Sequence, residues 1–96
     1  MSKSEEFIEK MKERLSEWEE ELGQLEQKAR EAGDDARRKW EERRDELRAR
    51  RDEVRQKLEE LRSTAGNTAE ELKRDLERMR DTISRGIRDL RNQFKR

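Results

Sequence analysis

The side chains best suited to chemistry in this chain are clustered carboxylates and arginines. Carboxylates stand side by side at Glu19-Glu20-Glu21, Asp34-Asp35 and Glu41-Glu42. Paired carboxylates exchange protons or hold a divalent cation when they converge. Adjacent residues of a helix point about 100° apart, so these would diverge. The spacing of a calcium-binding loop is absent. The chain has no histidine and no cysteine. That removes the commonest general base, the thiolate nucleophile and the usual transition-metal ligands. Serines and threonines then have no histidine or cysteine to complete a nucleophile constellation. Gly66-Asn67-Thr68 is too short for a phosphate-cradling loop and reads as a turn. No catalytic, cofactor-binding or metal residue is expected, and the carboxylate runs read as a solvated helix face.

The arginines fall mainly in one stretch, Arg37, Arg38, Lys39, Arg43, Arg44, Arg48, Arg50, Arg51 and Arg55. Guanidinium groups match phosphate geometry. A nucleic-acid groove usually has a contiguous basic field and often stacking aromatics. Here Glu41, Glu42, Asp45, Glu46, Asp52 and Glu53 interrupt the run, and Trp40 is its sole aromatic. A salt-bridged helix face is expected, not a nucleic-acid partner. A second basic segment, 82–96, is amphipathic, with Ile83, Ile87, Leu90 and Phe94 among Arg85, Arg88, Arg91, Lys95 and Arg96. It either packs on another helix or lies on an anionic membrane surface.

Those side chains must be carried by helices. Hydrophobic residues make up 27% and charged residues 54% of 96 residues, too little apolar matter for a thick core. There is no proline, and good helix formers dominate. Net charge is zero, and the apolar residues recur at helical spacing, which argues against disorder. The stripe begins Ile8, Met11, Leu15, Trp18, Leu22, Leu25, Ala29, Ala32, in alternating steps of three and four. Ala32, Ala36 and Trp40 then follow at two steps of four, a stutter. It continues through Leu47, Val54, Leu58 and Leu61, with Arg44 and Arg51 where apolar residues would fit. The last part is Ala69, Leu72, Leu76, Met79, Ile83, Ile87, Leu90 and Phe94, with Gly86 beside it to admit a close neighbour. The association seam is assigned to Ile8, Leu15, Trp18, Leu22, Leu25, Trp40, Leu47, Leu58, Leu61, Leu72, Leu76, Ile83, Leu90 and Phe94.

Ser2 or Ser4 suits the first helix cap, and Thr68 with Glu71 forms a capping-box pattern after the break at 63–68. The expected fold is a single all-α domain, 1–96. In it a long helix of about residues 5–64 turns at Gly66 into an antiparallel helix of about 68–95, a coiled-coil hairpin. The alternative is a three-helix bundle with a second break at Gly33, where Asp34 suits a helix start. Residues 1–35 carry net −6, and 36–67 and 68–96 each carry +3, so antiparallel packing would bring opposite charges together. No apolar run approaches a membrane span, residues 1–10 lack the apolar stretch of a signal peptide, and a cytoplasmic location is the expectation.

FIEKMKERLSEWEEELGQLEQKARE (7–31), KWEERRDELRARRDEVRQKLEELR (39–62) and the break and last helix at 63–79 resemble a family of small bacterial coiled-coil proteins described as stress-response proteins. Gly33 and the heavy use of arginine depart from that pattern. The resemblance implies a bacterial, stress-linked helical protein and supplies no catalytic residues. The expected role is non-enzymatic, with the seam pairing to itself or to another helical protein. Peripheral binding to anionic membranes through 82–96 is the alternative.

Overall fold

The computed structural model describes residues 3–94. They form three helices, α1 (Lys3–Ala32), α2 (Asp34–Arg62) and α3 (Gly66–Gln93). Lengths of 30, 29 and 28 residues give helices of about 42–45 Å at 1.5 Å per residue. The bundle measures 49 × 20 × 17 Å, so all three lie side by side along its length. Gly33 alone links α1 to α2 within a bundle one helix long, so the two are antiparallel, and Glu19 of α1 meets Arg51 and Arg55 of α2 across them. Lys57 meets Asp75, so α2 and α3 are antiparallel too. Glu21 meets Arg91, as the parallel α1 and α3 require.

One core runs the length of the bundle. Each helix contributes one stripe: Ile8 to Ala29 from α1, Trp40 to Leu61 from α2, and Ala69 to Leu90 from α3. Among the described residues no charged or polar residue is buried as a whole. Phe7, Leu72, Met79 and Phe94 close the edges, half-buried. Gly86 sits beneath Leu47. A Cβ added there would stand 3.0 Å from Leu47 Cδ2, so glycine permits α2 and α3 to approach.

The expected helix across 5–64 is broken, and the three-helix alternative is the arrangement found. Gly33 alone joins α1 to α2, at φ +110° and ψ −176°, a region essentially restricted to glycine. The physical reason is burial. A straight 60-residue helix would leave most of its seam in water, because α3 has only 28 residues to cover it. Folding at Gly33 lets α1, α2 and α3 cover one another.

The caps also differ from expectation. Ser4 lies inside the first turn of α1, and Ser2 lies outside the described residues. Thr68 does not cap α3, which starts two residues earlier at Gly66 behind Ala65, with no side-chain cap bond. Ser63 and Thr64 point backwards instead. Their hydroxyls donate to the Glu60 carbonyl and close the end of α2. Asp34 begins α2, but its carboxylate accepts from Arg37 at 2.7 Å rather than capping backbone amides.

Candidate functional site

Twelve seam residues, Ile8, Leu15, Trp18, Leu22, Leu25, Trp40, Leu47, Leu58, Leu61, Leu76, Ile83 and Leu90, are each 7% exposed or less. The other two, Leu72 and Phe94, are half-buried. Their partners lie within the same chain, so the seam is consumed by folding. Met11, Ala29, Val54, Ala69 and Ile87 complete the stripe. Phe7, which lies off the expected stripe, packs half-buried against the core. Ala32 is exposed because α1 ends there, and Ala36 is only half-buried.

Two arginines interrupt the stripe of α2, and the structure shows how they are accommodated. Arg44 and Arg51 keep side-chain exposures of 26% and 18%. Both side chains are largely covered, and each guanidinium keeps at least one nitrogen within reach of a carboxylate. Arg44 reaches Asp45 at 3.2 Å. Arg51 reaches Asp52 at 3.2 Å and Glu19 at 3.7 Å, although its Nε is buried without an acceptor. Trp40 Nε1 is likewise buried with no protein acceptor.

The carboxylate triplet is split three ways. Glu19 faces α2 and holds Arg51 and Arg55. Glu21 faces α3 and accepts from Arg91 at 3.3 Å. Glu20 stays exposed between them. Among the described residues no group of three acidic side chains is placed to hold a metal ion. The role of Glu19 and Glu21 as inter-helix contacts escaped the sequence reading. Its only signal is that Glu19 neighbours Trp18 and Glu21 neighbours Leu22, on the shoulders of the stripe.

Most of the remaining ion pairs are local, one helical turn apart. Arg14–Glu17, Arg43–Glu46, Arg62–Glu59 and Arg78–Asp75 are of this kind. The arginine-rich stretch is thus laced to its own carboxylates. Lys57 turns away from Glu53 and reaches Asp75 of α3 at 3.9 Å. Arg74, Arg85 and Arg88 of α3 and Glu6, Glu9, Glu13 and Glu20 of α1 are exposed, with no ion-pair partner among the described residues.

Surface depressions are grooves between helix shoulders. One, of about 160 Å³, is walled by Arg43, Arg50, Arg85 and Asp89, with Leu47 and Gly86 at its base. Another, of about 500 Å³, lies where α1 starts and α2 ends, between Ser4, Ile8, Leu61 and Thr64. Glu5, Glu9 and Arg62 also line the larger groove, and Glu46 and Thr82 the smaller. The apolar residues of the basic segment, Ile83, Ile87 and Leu90, are in the core; Lys95 and Arg96 lie outside the described residues. No described helix is long and apolar enough to cross a membrane. No protein-family model, curated protein or solved structure matches the chain.

Proposed function

We propose that this chain is a non-enzymatic helical interaction module that self-associates. Supporting the reading is the division of labour among its side chains. The apolar residues form one narrow core, no charged residue is buried as a whole among the described residues, and the charged side chains pair mostly with one another on the surface. What reaches solvent is a set of charged helix shoulders. By sequence, residues 1–35 carry net −6 and residues 68–96 net +3, opposite signs that attract between copies. The family resemblance would set such a module in a bacterial stress response.

Sedimentation velocity over about 1 µM to 1 mM tests the reading, a range that spans weak protein association. The expected result is a compact monomer on dilution and a growing dimer population on concentration. A single monomeric species throughout the range would remove self-association from the proposal.

A second reading, contact with anionic membranes, draws on the exposed, unpaired Arg74, Arg85 and Arg88 of α3. Its apolar residues are already in the core, so such contact would be electrostatic unless the bundle opened. Flotation with anionic vesicles, repeated at high salt, separates the two.

A further inference from the structure

α1 passes into α2 through a single residue. Gly33 holds φ +110° and ψ −176°, yet a Cβ there would meet no atom within 4 Å. Glycine is needed for the backbone turn, not for space. No side chain caps the turn. Asp34, the first residue of α2, pairs with Arg37 instead of capping the turn.

The flanking sequence runs straight through this turn. Leu25, Ala29, Ala32, Ala36 and Trp40 recur every three or four residues, as one uninterrupted helix would place them. The closed bundle interrupts that stripe, leaving Ala32 exposed and Ala36 half-buried. Straightening Gly33 would restore it in one helix over 3–62, about 90 Å long. Such a helix cannot lay α1 against its own α2, so a second copy must provide the missing partner.

We propose that two copies exchange α1 by straightening Gly33, forming a domain-swapped dimer of two end-to-end bundles. In each bundle, α1 of one copy packs on α2 and α3 of the other through the contacts of the closed chain. Only the hinge and the crossing between bundles then distinguish the two states. At the crossing the two long helices meet near Ala32, Gly33 and Ala36, where short side chains admit close approach. A one-residue hinge held in an unusual backbone conformation is the condition under which such exchange is favoured. This inference rests on the self-association reading and gives its geometry.

The absence of cysteine permits a direct test. Glu19 and Arg55 are exposed and paired across α1 and α2, so Glu19→Cys with Arg55→Cys marks that contact. The full-length variant is refolded at low and high concentration, sized by light scattering, joined with a short bis-maleimide and run under denaturing conditions. The expected result at high concentration is a dimer whose linkages join two chains. Gly33→Ala, strained in the turn and favoured in a helix, should raise the dimer-to-monomer ratio about tenfold per hinge. A short glycine insertion after Gly33 should return the closed monomer with its helicity intact. Dimers whose linkages stay within one chain overturn the exchange and leave association through outer faces standing. Monomers at every concentration, in Gly33→Ala as well, overturn both.

Discussion

Leu22 is 3% exposed and lies in the core beside Glu21, which reaches α3. Leu22→Asp would bury a carboxylate among the apolar side chains of the core. The loss should exceed the about 2–5 kcal/mol of a leucine-to-alanine cavity. Thermal unfolding followed by circular dichroism should move down by roughly 10 °C or more. An unchanged midpoint would show that Leu22 is not a core residue. At this scale Leu22 and Trp18 were legible because three-and-four spacing alone puts them on one face. The pairing of Glu19 with Arg55 was not, because the two residues are 36 positions apart. Which shoulder meets which depends on how the helices are arranged around the core.

Gly23 and Gly33 look alike in the sequence and behave oppositely as parts of helices. Gly23 lies within α1, exposed, with open space where a Cβ would stand. Gly23→Ala should stabilise the bundle by about 0.5–1 kcal/mol, read from denaturant midpoints at constant slope. A destabilised Gly23→Ala would contradict its helical surroundings. Gly33 ends α1 although the stripe continues past it. Local pattern could not choose between the two outcomes, because one interior glycine costs a helix only about 1 kcal/mol. The choice is made by cover for the seam, a property of all three helices together. Likewise the Thr68–Glu71 pattern is a genuine capping sequence, but Ser63 and Thr64 bond Glu60 and α3 begins at Gly66. The all-α class was legible; the number of helices was not.

For the molecule as a whole, charge decorates the bundle more than it holds it. Between helices, the ion pairs among the described residues are Glu19 with Arg51 and Arg55, Lys57 with Asp75, and Glu21 with Arg91. Exposed pairs of this kind contribute about 0–1 kcal/mol each. The net charge is zero, so screening weakens attractions and repulsions alike. Raising salt to about 1 M, where the Debye length is about 3 Å, should therefore shift the melting midpoint of the monomer by only a few degrees. A collapse of the melt at high salt would mean that ion pairs, not the seam, hold the helices.

An odd number of antiparallel helices has a mechanical consequence. α1 starts at one end of the 49 Å bundle and α3 finishes at the other. Tension between those two points runs along the long axis, parallel to every helix. It loads the core in shear over its full length rather than peeling the helices apart pair by pair. Whatever is fused at either end is held at a set distance by a stiff rod that yields only when the whole core slips.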